Sequence, residues 1–521
     1  MLINDKNFAS RTLLRVAFAS ALAVVALAAG CRKAQRADDS GTVRFLIESM
    51  PTNLDPRVGI DAQSENLDSL IYDGLVDRNA QMKIVPDLAE SWETPNPLTY
   101  VFHLRRGVKF HDGRSLTSAD VKFTFDSVIS GAIPTPKRGT YELVKSIETP
   151  DEATVVFHLS RPYSSFLWNV IRQGMGIVPA GSGKEVAQHP VGSGPFRFVS
   201  LEADEQLVLE RNPDYFGRAP KIDRVQFRVV PDLVTRALEL RKGSVDIGGV
   251  NSLTPDMVDA LAKQPHLVAE EEPGTVLAYV AFNCDDPILA HREVRQALAY
   301  ATDRANLIKY LLRGQARPAS SLLPPNHWAY EPNVKRYPYD SAHAEQLLDA
   351  AGFPRGAEGI RFHLTLKTST EESARLLGEV LADQWKRVGV VLDLRSLESA
   401  TMLSDIGRGS FQLYTLRWVG GNNDPDIFEY VFDSKRMPPH GANRGHFRNP
   451  VIDELLAKQG EEMDVKKRKA ILSQIQKLIA EDEPYIDLWY YDNVCVHRDR
   501  VTGISISPTG DYDFLETATV Q

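Results

Sequence analysis

Phe102-His103-Leu104-Arg105-Arg106-Gly107-Val108-Lys109-Phe110-His111-Asp112-Gly113 reads in two pieces. With Thr99, Tyr100 and Val101 in front of it, the first piece is a short apolar run that ends in a polar turn, as a strand does. In the second, Asp112-Gly113 makes a tight turn just after an apolar residue. Thr154-Val155-Val156-Phe157-His158-Leu159-Ser160 echoes the first piece and predicts another strand of the same sheet, a local echo rather than a repeat array. Between the two, Thr117-Ser118-Ala119-Asp120 opens a helix. Thr117 can cap free amides, Asp120 favours the positive end, and Val121, Phe125, Val128 and Ile129 form one stripe. Helix and sheet therefore share a lobe.

The same alternation continues outward. Upstream, Val43 to Ile47 reads as a strand, and Met50-Pro51-Thr52-Asn53-Leu54-Asp55-Pro56 as a turn that two prolines stiffen. Downstream, Gly192-Ser193-Gly194-Pro195 is a break whose glycines permit backbone angles other residues resist, and strands follow it, including Arg224 to Val230. After Pro273-Gly274 come the apolar run Val276 to Phe282 and one long helical pattern from Val294 to Leu311. Leu376 to Val388 is helical, Val390 to Leu394 strand-like, Ile452 to Ile479 helical until Pro484 stops it, and Tyr485 to Val496 a final strand. Strands alternating with helices give an α/β class.

The first thirty residues have the order of an export signal: Lys6, Arg11 and Arg15, an apolar core from Val16 to Leu27, then Ala28-Ala29-Gly30. The core is shorter than the roughly 20 residues of a membrane span. Cys31 follows at once, as in a lipoprotein lipobox, and reads as a lipid anchor; residues 31–41 read as a tether. The remaining 491 residues carry 57 basic and 68 acidic side chains, a formal charge of −11, which argues against a nucleic-acid partner. With only Cys284 and Cys495 left, the chain is no disulfide scaffold.

Catalytic patterns are missing. Gly181-Ser182-Gly183-Lys184-Glu185 imitates the end of a P-loop, but Val178 stands where the first glycine belongs and Glu185 where the hydroxyl belongs. The twelve histidines are scattered, and His103 and His158 read as hydrogen-bonded structural residues. No metal site, cofactor or catalytic residue is expected, and function rests on binding.

Several motifs taken together resemble family 5 of the bacterial extracellular solute-binding proteins, the peptide, nickel and oligosaccharide receptors of ABC importers. They are Leu54-Asp55-Pro56; Pro86-Asp87-Leu88-Ala89-Glu90-Ser91-Trp92 running on to the opening stretch and Ala119-Asp120-Val121; Val191 to Phe196; Arg211-Asn212-Pro213-Asp214-Tyr215; and Val294-Arg295-Gln296-Ala297 with Ala301-Thr302-Asp303-Arg304. The resemblance implies a two-lobed periplasmic-binding-protein clamp of cluster C type, with mixed sheets flanked by helices and an additional inserted domain. On that reading residues 42–75, 191–276 and 489–521 form lobe I, 76–190 the inserted domain II, and 277–488 lobe II. The crossings between lobes fall near Thr275 to Phe282 and Trp489 to Val494.

The resemblance also implies a monomeric receptor on the cell-envelope exterior that hands a solute to permease subunits. A linear peptide leads, with an oligosaccharide, haem or metal chelate as alternatives and a secreted hydrolase as the reading from another class. The loop from Arg417 to Asp426 would line the cleft, with Trp418, Gly420, Gly421, Asn422, Asn423 and Asp424 as candidate contacts. Peptide receptors of this family carry an amine-binding aspartate where this chain has Gly421; either Asp424 or Asp426 substitutes, or the Asp-Pro-Asp step is simply a turn. Trp489 and Tyr491 on the returning strand, Tyr279 and Asn283 on the outgoing one, and Met50 and Thr52 complete the candidates. Cys284 and Cys495 both lie just past the inferred crossings, which leaves a disulfide beside the hinge open.

Overall fold

Two long strands, Leu267–Phe282 and Tyr485–Arg498, pair antiparallel from Leu267 opposite Arg498 to Ala281 opposite Tyr485. They form the spine of the computed structural model, which describes residues 41–420 and 423–521. Midway, the register slips: Pro273 faces Asp492 and Leu277 faces Tyr490, so the outgoing strand carries extra residues at Pro273-Gly274. Proline offers no ladder N–H, and a Cβ on Gly274 would stand 2.3 Å from the Tyr491 carbonyl, so the sequence itself specifies the irregularity. The outgoing strand is thus longer than the apolar run Val276 to Phe282 that the sequence predicts, beginning at Leu267.

Around the spine the strands run in the order Val390–Leu397, Phe362–Ser369, Leu413–Trp418, Leu267–Phe282, Tyr485–Arg498, Ile247–Val250, Thr42–Ile47, Arg224–Val229, Gln206–Arg211 and Phe196–Glu202, with Ala316–Pro318 also on Tyr485–Arg498. The sheet is mixed: Thr42–Ile47 is parallel to Arg224–Val229, and Phe362–Ser369 to both its neighbours, while the spine is antiparallel. Its two ends belong to two bodies, lobe I with the Thr42 strand and lobe II with the Leu413 strand. The period-2 alternation of a strand sorts lobe II into two cores. Ala278, Val280 and Phe282 pack with Leu298, Leu381 and Trp385 on one face, and Leu277, Tyr279 and Ala281 with Phe428, Ile452 and Ile475 on the other.

A separate antiparallel sheet takes Ala89–Asn96, Thr99–Leu104, Thr154–Leu159 and Val144–Asp151 in that order. The two echoing stretches are direct neighbours, with Thr99 opposite His158 and His103 opposite Thr154. Helix Ser118–Ile129 lays Val121, Phe125 and Val128 on the buried face of this sheet, against Tyr100, Phe102 and Phe157. Asp120 closes its first turn by accepting from the Thr117 amide and hydroxyl, at 2.8 and 3.0 Å.

Three expectations are corrected. Val294 to Leu311 is two helices, Arg292–Tyr300 and Arg304–Leu311, because Asp303 caps a new start by accepting from the Asn306 amide. Ile452 to Ile479 is likewise Pro450–Glu461 and Val465–Asp482, split where Asp464 caps the second. Gly192 and Gly194 do not supply positive φ; a Cβ on either would lie 2.0 and 2.6 Å from Ile71 main-chain atoms, so close backbone approach is what demands glycine.

Candidate functional site

The loop after strand Leu413–Trp418 begins with an aromatic column. The Trp418 ring lies parallel to Tyr279 at 6.0 Å, Tyr279 parallel to Tyr485 at 4.5 Å, and the Arg444 guanidinium sits 5.4 Å from the Trp418 centroid. Tyr279 is fully buried as the middle of this column. Trp418 is half-buried, and its Nε1 has no hydrogen-bond partner among the described residues. Gly420 takes φ +71°, which turns the chain away from the strand. Gly421 and Asn422 lie outside the described residues.

Beyond the turn the chain meets the antiparallel-sheet domain, which ion pairs from Arg172 to Asp73 and Glu516 tie to lobe I. Ser165, beside the antiparallel sheet, donates its hydroxyl to Asp424 at 2.6 Å and accepts from Arg468 at 2.8 Å. Arg468 also reaches Asp426 at 3.0 Å and Gln459 at 3.0 Å, and Gln459 donates to Asp426 at 3.0 Å. Ser164 adds bonds to the Gly460 and Gln459 carbonyls at 2.9 and 3.0 Å. Burial raises the Asp424 carboxyl to about 7, with the Asp426 charge adding to the rise and Arg468 and Ser165 opposing it. Asp424 Oδ1 therefore bridges the bodies, while its Oδ2 is buried without a hydrogen-bond partner among the described residues. The Asn423 carbonyl accepts from His327 Nε2 at 3.0 Å, which pins the loop from inside lobe II.

Beside this network lies a cavity of about 410 Å³. Trp92, Trp168, Tyr100 and Met82 line it from one body, Trp328 and Met463 from the other, with Arg468 5.8 Å from the Trp328 ring. Neither the cavity nor the Ser165 network was legible in the sequence. Arg468 looks like ordinary surface charge on an amphipathic helix, and the partners are about 260 to 300 residues apart in the chain.

The other candidates are spread out. Trp489, which the resemblance assigns to lobe I, instead packs 2% exposed in the core with Leu298 and Trp385, edge-on to Tyr491 at 6.0 Å. Tyr491 is half-buried with Arg417 5.9 Å from its ring, and Arg417 pairs with Glu371 at 3.3 Å. Tyr491 packs on the core opposite to the one Trp418 joins, so the two aromatics flank the sheet instead of sharing a wall. Met50 packs on the lobe I core, and exposed Thr52 bonds to Asp61. Asn283 spends its amide on the Phe411 carbonyl at 2.8 Å, at the end of the strand remote from Trp418.

The disulfide is ruled out by strand polarity. Cys495 stands opposite Glu270, while Cys284 follows Phe282 at the far end of the same ribbon. About 14 extended residues, or roughly 45 Å, separate those levels, against the ~7 Å that bridging allows. Both thiols are free. The P-loop mimic is likewise inverted: the Ser182 and Gly183 carbonyls accept from Arg57 at 3.2 and 2.9 Å, so the loop presents acceptors where a phosphate needs donors. His103 and His158 face Glu93 and Glu148 at 3.3 and 3.4 Å, and no metal-binding group of acids, cysteines or histidines exists among the described residues.

The family motifs are scaffold of a specific kind. Asp87, Tyr215 and, through Asp73, Ser193 converge on buried Arg172, whose guanidinium also meets Asp77 and Glu516. His111 bridges the Gly192 amide and the Gly194 carbonyl. An amide only donates and a carbonyl only accepts, so Nε2 carries the proton, and burial holds this imidazole neutral, down to about 4.

Two bodies hinged on paired strands and bridged across their facing surfaces define a two-lobed solute-binding clamp. Comparison gives its family: the model for the middle region of bacterial extracellular solute-binding proteins, family 5, matches residues 83–437, and the chain belongs to that family. Heme-binding protein A of Haemophilus influenzae is 30% identical over 92% of both chains. The dipeptide-binding protein of Escherichia coli is 27% identical, over 91% of this chain and 94% of that one. Among solved structures, HbpA2 from Haemophilus parasuis superposes with a TM-score of 0.81 at 26% identity, covering 92% of this chain and all of that one. The periplasmic binding protein DppA from Helicobacter pylori, in complex with peptide STSA, gives 0.72 at 28% identity over 92% and 98%. Members of this family are solute-binding proteins rather than enzymes, and they are periplasmic. No helix among the described residues is long and apolar enough to cross a membrane.

Proposed function

We propose that this chain is the extracytoplasmic receptor of an ABC importer, closing its lobes on a peptide and delivering it unaltered to membrane permease subunits. The observation that supports the reading is the Ser165–Asp424 bond at 2.6 Å, a contact between segments 259 residues apart that bridges the antiparallel-sheet domain and lobe II. A solute that touches both lobes favours the closed form by its differential affinity, and about 5.5 kcal/mol moves such a clamp from mostly open to mostly closed. Relatives named for dipeptides and for glutathione support a peptide cargo. An extended peptide offers main-chain groups that strand edges read without regard to side chains. Cys31, outside the described residues, is the lipid anchor in this reading, and the receptor works as a monomer on the periplasmic face of a membrane.

A second reading, a larger apolar solute, is favoured by the cavity that Trp92, Trp168 and Trp328 line. Denaturing the purified protein and identifying the released solute by mass spectrometry separates the two. Titration of a di- and tripeptide pool then follows, with Trp418→Ala as the control. Intact peptides bound and recovered support the receptor. Peptides hydrolysed on incubation would instead return the chain to the hydrolase class, and a haem-like or sugar solute would replace the peptide.

A further inference from the structure

A cavity of about 690 Å³ opens in lobe II, with no residue of lobe I on its wall. Its floor is made where helix Val465–Asp482 ends and the returning strand begins, and that junction places two carboxylates there, Glu483 and Asp487. Glu483 is 6% exposed and its carboxylate makes no hydrogen bond or ion pair to any described residue. Asp487 keeps some surface, but its Oδ1 is sealed from solvent without a hydrogen-bond partner among the described residues. Arg304 offsets the charge of both, opposing the rise that burial imposes on each carboxyl, but its hydrogen bonds go to the main-chain oxygens of Asp487, Ala299 and Tyr337 at 2.7, 3.2 and 3.0 Å. At the mouth, Lys335 is taken by Glu481 at 3.1 Å and Arg336 is exposed, with Nη2 on the Pro332 carbonyl.

Buried carboxylates are costly unless donors meet them, and an acid left unanswered in a roomy cavity is more simply explained by a ligand than by the fold. The wall above the floor is Tyr330, Tyr337 and Tyr339 with prolines 318, 325 and 338, apolar faces suited to the body of a cation. We propose that this cavity is a second binding site, separate from the cleft, for a small organic cation. Its ammonium or guanidinium group donates to Asp487 and Glu483, and its apolar body lies along the tyrosines.

Putrescine is the probe and 1,4-butanediol, the same length without charge, its control. In calorimetry and thermal melts of the full chain, putrescine is expected to bind and raise Tm, and the diol to do neither. Asp487→Asn and Glu483→Gln should each weaken putrescine at least tenfold. Ala305→Trp, which narrows the mouth without touching a carboxylate, should abolish binding, and Trp418→Ala should leave it unchanged, so that a failure of the cleft reading leaves this site standing. Circular dichroism checks that each variant folds. The proposal is overturned if the diol matches putrescine, if sodium chloride at equal ionic strength gives the same shift, or if both carboxylate variants bind as the native chain does. Absence of binding at about 10 mM, tenfold above a 1 mM Kd, overturns it as well.

Discussion

The Ser165 hydroxyl stands 2.6 Å from Asp424 Oδ1, a bond between residues 259 apart in the chain that joins the antiparallel-sheet body to the loop after Trp418. Ser165→Ala removes the donor and leaves a buried carboxylate short of one bond, which costs about 1–3 kcal/mol. On the clamp reading the loss falls on the closed form alone. Solute affinity should drop about 5- to 150-fold while Tm of the unliganded protein changes little, as titration calorimetry and scattering with and without solute will show. Unchanged affinity would mean that the bond does not contribute to closure.

Closure should also depend on pH. Around Asp424 stand Asp426, Arg468 and Ser165, and burial holds the Asp424 carboxyl at about 7 in this bridged arrangement, which is the closed form on the clamp reading. A carboxyl raised in one state is protonated more readily there, so the closed form takes up a proton. The advantage is full below the ordinary carboxylate range near 4 and is lost as pH rises through 7, with affinity falling at most tenfold per pH unit. Asp424→Asn cannot titrate and should flatten this slope. An equal slope in that variant would place the proton elsewhere.

Gly192 packs against the main chain of Ile71 so closely that a Cβ would fall 2.0 Å from the Ile71 carbonyl oxygen. Gly192→Ala therefore forces backbone apart, and a loss of about 1–3 kcal/mol is expected from overpacking alone. His111 should report it too, since its Nδ1 accepts from that amide. Denaturant unfolding of Gly192→Ala against Gly181→Ala, where a Cβ meets nothing within 4 Å but φ is +90°, separates crowding from backbone strain.

Arg172 carries four carboxylates within 3.6 Å: Glu516 at 2.7 Å, Asp73 and Asp87 at 3.5 Å and Asp77 at 3.6 Å. Burial raises Asp73 to about 6 even so, with Arg172 opposing the rise. Arg172→Met leaves buried acids without their counter-charge and should cost about 3–5 kcal/mol. The variant should recover part of that loss on acidification from pH 8 to 5, because protonation then removes the uncompensated charge. A melt that is equally depressed at both pH values would contradict this account.

The same cluster shows what the sequence could and could not tell. The strands at Thr99 and Thr154, the helix from Thr117 and the motif residues Asp87, Ser193 and Tyr215 were legible because each signal is local: alternation, a cap, a turn. Their purpose was not, because Arg172, on which they converge, lies between them with no periodicity of its own. Sequence reading also joined helices that Asp303 and Asp464 divide, since apolar spacing carries across a capped break of three residues. The loop at Trp418 was found through resemblance, whereas Ser165 and Arg468 come from segments about 300 residues apart and only the folded chain pairs them.

Strand polarity supplies the last prediction. Cys495 is buried in the lobe I core, where burial pushes its thiol up to about 12, and Cys284 sits near the Gly445 carbonyl at the far end of lobe II. Neither can reach the other without unfolding the spine. Dithiothreitol should therefore leave Tm unchanged, and alkylation of the denatured, unreduced protein should label both residues. In the native protein, a thiol held so far above its usual range is mostly protonated and poorly nucleophilic. Cys495 should therefore alkylate at the rate of global unfolding, and Cys284, which is less buried, faster. Equal native rates would imply that the lobe I core around Cys495 opens more readily than its packing allows.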